Sequence, residues 1–493
     1  MSKPSFDVLI IGGGVVGLSI MRELLSYTMT VGLLEKHDDV CSGVSKANSG
    51  IIHAGFDDNP GSLRARFAPQ GSMDFKKLDD ELHFGYREIG SLVLARTDSD
   101  TKILKALQAR GRENGVSGLS ILEKSELYRI EPALQENFIA ALYAKNSGIV
   151  SPYEFGIALA ENCVKNGAYI GLDQAVKAIE YKSGVYHVQT ETDTFTSKLL
   201  INTAGLHADS ISRMLGINTP QIHPRKGSYI VFNRGTGSLV NHVLFPIPQE
   251  TGKGVLVTPT FHGNLMIGPN AIDIDSKEDV STTEEEIEDL LSKAERIVTN
   301  IPYTMAIKTF AGLRPKIAGG DFSLREAQEG FFECSGIASP GLTSAPAIAR
   351  YVCSHFVALH MKLEKNHTFD PYRAPYSQPQ YKRTFLSPKQ ANEESKIPIS
   401  ESDCMICRCE QIRRSTIIHA LDAGLSLRTP EALARRTRAG FGFCQGNFCR
   451  TRVETIIHEY HTSKKNSFSP EKDTTFQQNS SRVPASFIRK QNR

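Results

Sequence analysis

Apolar residues first crowd together at Val8–Ile11, break at Gly12, Gly13, Gly14 and Gly17, resume with helical spacing, and return as a second short run ending at Glu35. A short apolar run closed by glycine predicts a buried strand, and three-and-four spacing predicts an amphipathic helix, so Phe6–Lys36 reads as a strand–helix–strand unit. Further along, Leu78–Ala95 alternates toward strand, most clearly in REIGSLVLA, and Thr101–Gly115 predicts a charged surface helix. Pro152 opens a helix to about Lys165. Gln174–Glu180 and Val185–Thr190 predict hairpin strands, and Lys198–Gly205 a strand entering a tight turn. His223–Asn233 and Leu256–Asn270 are β-rich and predict an antiparallel sheet forming a second domain, inserted between parts of the first. Thr282–Asn300 predicts a solvated helix with Ile287, Leu290, Leu291 and Ala294 inside. Phe331–Arg350 reads as strand, glycine turn and a helix starting near Thr343.

Composition narrows the class. At 493 residues the chain is expected to hold two or three domains. A net charge of +3, with basic residues scattered except toward the end, gives no sign of nucleic-acid binding. No apolar run reaches the roughly 18 residues a membrane helix needs, and Asp7 with the glycines breaks any signal-peptide reading of the N-terminus. The expectation is a soluble, cytoplasmic protein whose membrane contact is peripheral at most. Residues 366–403 hold Pro371, Pro375, Pro379, Pro388 and Pro398 among polar residues, the composition of a linker, and 462–493 form a polar, basic tail.

Two stretches carry chemistry. In the first, Gly12 permits a tight turn out of the strand, Gly14 lets backbone approach a pyrophosphate, and Gly17 lets the helix pack closely on the sheet. Glu35, with Lys36 beside it, follows the second strand at the distance expected of a ribose contact, so a dinucleotide binds here, NAD and FAD being equally open at this point. In the second, Cys404, Cys407, Cys409, Cys444 and Cys449 crowd into one segment of a chain without a secretory signal, which reads as a metal or redox site rather than a disulfide framework. Their spacing suits an iron–sulfur cluster or a structural zinc ion. His53, among Ile51, Ile52 and Ala54, reads by itself as a structural histidine.

The fingerprint, SKANSGIIHAGFDDNPGSL (Ser45–Leu63), NTAG (Asn202–Gly205), GLRP (Gly312–Pro315) and SPGLTSAPA (Ser339–Ala347) together resemble the FAD-dependent oxidoreductases of the D-amino-acid oxidase and glycerol-3-phosphate dehydrogenase superfamily, over about Phe6–Leu363. NSGIIHAG and GPNA resemble the branch holding L-2-hydroxyglutarate oxidases and the shorter glycerol-3-phosphate oxidases. MICRCEQI with RTRAGFGFCQGNFC resembles the [2Fe–2S] domain of bacterioferritin-associated ferredoxin, also found behind anaerobic glycerol-3-phosphate dehydrogenase.

The resemblance implies an α/β (α+β) fold. A Rossmann-like FAD-binding domain (about 1–80, 145–215 and 305–363) would carry an inserted antiparallel-sheet substrate domain (about 81–144 and 216–304), followed by the linker and a small helical [2Fe–2S] domain at 404–461. It implies FAD with its pyrophosphate at Gly12, Gly13 and Gly14 and its ribose on Glu35. Ser45, Asn48 and Ser49 would line the flavin, Val176 would contact the adenine region, Ala204 and Gly205 would pass the pyrophosphate, and Gly341, Leu342 and Thr343 would point N–H groups at the pyrimidine edge. His53 becomes the expected base, with His262 in reserve, and Arg314 the anchor of an anionic substrate, with Lys226 and Lys316 adding charge. The cluster ligands implied are Cys407, Cys409, Cys444 and Cys449, leaving Cys404 outside. The activity implied is oxidation of glycerol 3-phosphate or, in the alternative, of a 2-hydroxyacid such as L-2-hydroxyglutarate; a flavin and iron–sulfur relay serving another subunit is a further alternative. With no second complete dinucleotide fingerprint to take NADH, the expected acceptor is a separate subunit or a quinone.

Overall fold

The computed structural model describes residues 4–248, 254–373 and 403–463, with the isolated positions 389 and 396. The N-terminal strand Ser5–Ile11 lies between Val31–Leu34 and Thr194–Asn202, parallel to both, and Val31–Leu34 pairs with Tyr169–Gly171 in the same sense. A strand buried on both faces must be apolar throughout, and Val8, Leu9, Ile10 and Ile11 are buried. Phe331–Ser335 continues this sheet beside Thr194–Asn202, and an antiparallel hairpin, Ala178–Lys182 with Val185–Gln189, completes its edge. Helix Val15–Leu25 covers one face together with Pro152–Lys165 and Gly341–Val352.

A second, nine-stranded sheet forms the inserted part. His223–Arg234 runs antiparallel to Ala306–Lys316 along nearly its whole length, and the order continues through Asn264–Ile267, Val257–Pro259, Val243–Pro246, Ser91–Ala95, Ala140–Ala144 and Leu119–Glu123. One pair, Val243–Pro246 with Ser91–Ala95, is parallel. Helix Glu284–Glu295 packs below with Ile287, Leu290, Leu291 and Ala294 buried, as its periodicity requires, each large side chain contributing roughly 1.5–3 kcal/mol of burial. Thr283 and Glu286 cap it reciprocally.

Several boundaries differ from the sequence reading. The expected strand from Leu78 begins instead as the end of helix Phe75–Leu82, because Phe75, Leu78 and Leu82 fall on one helical stripe and are buried; strand begins only at Tyr86–Glu88 and Ser91–Ala95. The surface helix is Asp98–Glu113, started three residues early by the Thr97–Asp100 capping box. The first hairpin strand is Ala178–Lys182, leaving Gln174 and Val176 in the loop before it. Ala306–Lys316, which includes GLRP, belongs to the second sheet, because its partner is His223–Arg234. The C-terminal module holds a short hairpin, Met405–Cys407 with Ile412–Arg413, and helices Arg414–Leu421, Pro430–Thr437 and Arg450–Ser463. Its apolar residues join the same core as the N-terminal helix. The first residues of the expected linker are anchored: Arg373 meets Glu161 at 2.7 Å, and Asn162 and Asn166 hold the Asp370 carbonyl. The remainder of the linker, apart from positions 389, 396 and 403, and the tail from 464 lie outside the described residues.

Candidate active site

A cavity of about 3130 Å³ runs from the N-terminal glycines, between the two sheets, to the cysteine-bearing loop. Its floor is the fingerprint. Gly12 takes φ +111°, and a Cβ there would strike the Thr203 carbonyl, so only glycine makes this turn. Helix Val15–Leu25 begins at Gly14 without a side-chain cap of its own; instead the Val15 N–H donates to Ser45 Oγ at 3.0 Å. Glu35 is buried, with Oε2 accepting the Gly13 N–H at 2.8 Å and Oε1 the His37 N–H at 3.0 Å. Burial pushes its carboxyl up, partly offset by those two donors. Val176, Ala204 and Gly205 continue the wall, while Gly13 and Gly17 stand behind it. Lys36 lines the rim and lies 3.0 Å from His207 and 3.8 Å from Glu278.

The loop after the second strand reaches the middle of the cavity. Asn48 uses its amide on its own turn, donating to the Val44 and Ser45 carbonyls and accepting the Gly50 N–H, so it shapes the loop that presents Ser45 and Ser49. Ala306–Lys316 crosses this loop so closely that a Cβ on Gly312 would meet the Ala47 carbonyl. His53 follows the strand Ile51–Ile52, half-buried, and its backbone N–H donates to Thr343 Oγ1 at 3.0 Å. Thr343 belongs to helix Gly341–Val352, which starts two residues before the expected position and has no side-chain cap; Gly341, Leu342 and Thr343 all line the cavity.

Strand alternation assigns the roof. Cross-strand partners share a face, so Arg225, Gly227 and Tyr229 stand opposite Arg314, Gly312 and Phe310. Arg314 fills the space a Gly227 side chain would take, donates to the Asn270 carbonyl at 2.7 Å, and is lowered from its ordinary value by burial. Tyr229 is buried, stacks on Phe310 at 4.6 Å and stands beside Ser49; burial raises the phenol, with Arg314 and then Ser49 opposing. Lys316 shares this face with Arg225, each beside Asp273. Lys226 points to the other face, where Glu286 holds it at 2.7 Å, so it adds no charge to the cavity. Arg225, Tyr229 and Asn270 were not singled out from sequence, although the alternation in HPRKGSYIVFN places Arg225 and Tyr229 on one face. Two more lysines line the cavity: desolvation, with Arg435 beside it, lowers Lys46 to about 8, and burial lowers Lys308.

His262 stands on a different wall. Its Nε2 is 2.9 Å from Glu154 Oε1, while Nδ1 is buried without a hydrogen-bond partner among the described residues. Burial, then Arg438, lowers this imidazole.

The cysteines sit at the far end. The Cys407 thiol stands beside that of Cys449, and the Cys409 thiol beside that of Cys444, none of them in a disulfide. Among the described residues no three His, Cys, Asp or Glu side chains converge on a single ion site; the sulfurs form two pairs, an arrangement that suits four thiolates around two irons. Cys404 is apart, 3.6 Å from Arg452 Nη2.

Among the described residues no helix is long and apolar enough to cross a membrane. Residues 7–355 match the family of FAD dependent oxidoreductases, and 405–459 match the BFD-like [2Fe-2S] binding domain. A glycerol 3-phosphate dehydrogenase of Caloramator mitchellensis is 44% identical over 458 residues, 92% of this chain and 94% of that protein. A mitochondrial L-2-hydroxyglutarate dehydrogenase of Nematostella vectensis is 32% identical over 54% of this chain and 62% of its own length. The solved L-alpha-glycerophosphate oxidase of Mycoplasma pneumoniae, dithionite-reduced with FAD bound, superposes with a TM-score of 0.71 at 32% identity, covering 76% of this chain and 98% of that one. The glycine floor and the two helix starts that line the cavity fit FAD, the paired sulfurs fit a [2Fe–2S] cluster, and the chain belongs to the FAD-dependent oxidoreductases, with a BFD-like [2Fe–2S] domain at its C-terminal end.

Proposed function

We propose that this protein oxidises glycerol 3-phosphate to dihydroxyacetone phosphate and passes the electrons through its [2Fe–2S] domain to an external acceptor, a partner subunit or a quinone. The observation that carries this reading is the 44% identity to a glycerol 3-phosphate dehydrogenase, which runs through the flavin part and the cysteine module alike. The L-2-hydroxyglutarate relative matches little more than half of the chain.

When bound, FAD supplies the acceptor for the hydride that leaves the substrate's secondary carbon. Oxidation also requires loss of the hydroxyl proton, and His53 receives it, its backbone held to Thr343. Arg314 binds the phosphate through its planar fork, one arm anchored on the Asn270 carbonyl, with Arg225 and Lys316 on the same face of the roof. Tyr229, stacked on Phe310 beside Ser49 and Arg314, helps to keep those two side chains in register. The Gly341 N–H is taken by the Ala338 carbonyl, and the amides of Leu342 and Thr343 at this helix start offer a positive dipole end to the cofactor's electron-rich edge. Glu35, Ser45, Val176, Ala204 and Gly205 hold its remaining length, and Cys407, Cys409, Cys444 and Cys449 hold the cluster, which supplies one-electron relay.

A dye-linked assay of purified protein with glycerol 3-phosphate and L-2-hydroxyglutarate, monitored at the flavin bands, tests the substrate. Bleaching and turnover with glycerol 3-phosphate are expected; turnover with L-2-hydroxyglutarate alone overturns the reading.

A further inference from the structure

The C-terminal domain is gripped by the loop that walls the FAD site. Asp39 is fully buried, and two arginines of helix Pro430–Thr437 converge on it. Arg435 donates to Oδ2 at 2.6 and 3.2 Å; Arg436 donates to Oδ2 and Oδ1, both at 2.8 Å. Arg436 also lies 3.6 Å from Glu161, and the Thr429 hydroxyl donates to Asp38 at 2.7 Å.

Asp38 and Asp39 belong to the stretch from Glu35 to Ser45, which touches the glycine floor three times. Glu35 accepts the Gly13 N–H, the Cys41 N–H donates to the Gly13 carbonyl at 2.9 Å, and Ser45 accepts the Val15 N–H. One loop therefore carries the expected ribose acid at one end and the helix-capping hydroxyl at the other, while the cluster domain clamps its middle. Withdrawing the domain would take from Asp39 both of its counter-charges and much of its cover, so the middle of this loop would lose the two arginines that hold it. The contacts that its two ends make with the floor would lose that outer support with it.

We propose that the docked [2Fe–2S] domain is a working part of the FAD site: Arg435 and Arg436, closed on Asp39, position the Glu35–Ser45 loop, so that FAD retention and domain docking are linked. Linkage is reciprocal, so bound FAD also strengthens the docking. The proposal concerns cofactor retention and is independent of which substrate is oxidised.

The test compares holoenzyme with the double variant Arg435→Gln and Arg436→Gln. FAD release on dilution is followed by flavin fluorescence, and hydrogen exchange of the Pro430–Thr437 amides is measured with and without FAD. The variant is expected to bind FAD at least tenfold more weakly with its cluster bands intact, and FAD is expected to slow exchange in that helix in the wild type. Unchanged FAD retention in a variant whose helix exchanges freely overturns the proposal. A pair of cysteines, Asp38→Cys with Thr429→Cys, covers the case in which the double variant does not fold. Its oxidised, cross-linked form should release FAD more slowly than its reduced form, and equal release rates overturn the linkage. Where the arginine variant does fold, the cross-link added to it should restore FAD retention, which a purely local effect of the lost charges would not allow.

Discussion

Arg314 keeps one arm on the Asn270 carbonyl and leaves the rest of its fork to the cavity, which makes geometry as important as charge. Arg314→Lys keeps the cation but not the fork. KM for glycerol 3-phosphate is expected to rise about tenfold or more, about 1.4 kcal/mol of binding, with a smaller change in kcat, in steady-state dye reduction. His53→Gln, by contrast, removes proton acceptance without removing the flavin. Its kcat is expected to fall roughly 10²–10⁴-fold, while bound FAD per chain, read from absorbance, stays at the wild-type level. At this scale the sequence was legible unevenly. His53 looked structural among its apolar neighbours, and only the surrounding motif marked it. Tyr229 carried no signal beyond strand alternation, because its importance comes from Phe310, Ser49 and Arg314, which are distant in sequence.

At the scale of elements, the contact between Ala306–Lys316 and the Val44–Lys46 turn sets the height of the cavity roof above its floor. Gly312→Ala would push a methyl group onto the Ala47 carbonyl. Overpacking of this kind costs typically about 1–3 kcal/mol, so a lower thermal midpoint and weaker FAD retention are expected together; a lower midpoint with unchanged retention would show that the roof and floor are not coupled here. Helices Pro152–Lys165 and Glu284–Glu295 were readable because their stops, caps and apolar stripes are local. The end of helix Phe75–Leu82, from Leu78 on, reads as strand because eight residues give too few turns for the stripe to stand out from alternation. The placement of Ala306–Lys316 in the second sheet was not readable at all, since a strand's sequence does not name its partner.

For the whole molecule, the lock on Asp39 carries a pH signature. Burial raises this carboxyl, but Arg436 and Arg435 outweigh it, so the folded value lies below the ordinary 3.8. A depressed carboxyl contributes stability that is fully present above about pH 4 and lost as pH falls through the folded value. Thermal midpoints of wild type and Asp39→Asn, measured from neutral pH downward, are expected to differ most at neutral pH, by the equivalent of about 3–5 kcal/mol for two stranded guanidiniums, and to converge in acid. A gap that stays constant with pH would mean that the ion pair is not what Asp39 contributes. The sequence by itself determined that a dinucleotide binds at one end and a thiolate-held metal or redox site stands at the other: a glycine fingerprint and a cysteine module are short, contiguous patterns whose chemistry follows from backbone freedom and thiolate spacing, while FAD and the [2Fe–2S] cluster were named only by the wider resemblance. It also determined the second strand that delivers Glu35, because strand length and period are local. Only the tertiary structure decided that Lys226 faces Glu286 while Arg225 joins Arg314 on the cavity roof, and that Arg435 and Arg436 meet Asp39 nearly four hundred residues upstream. Those facts depend on register and on long-range docking, which sum many weak contacts that no single stretch of chain encodes.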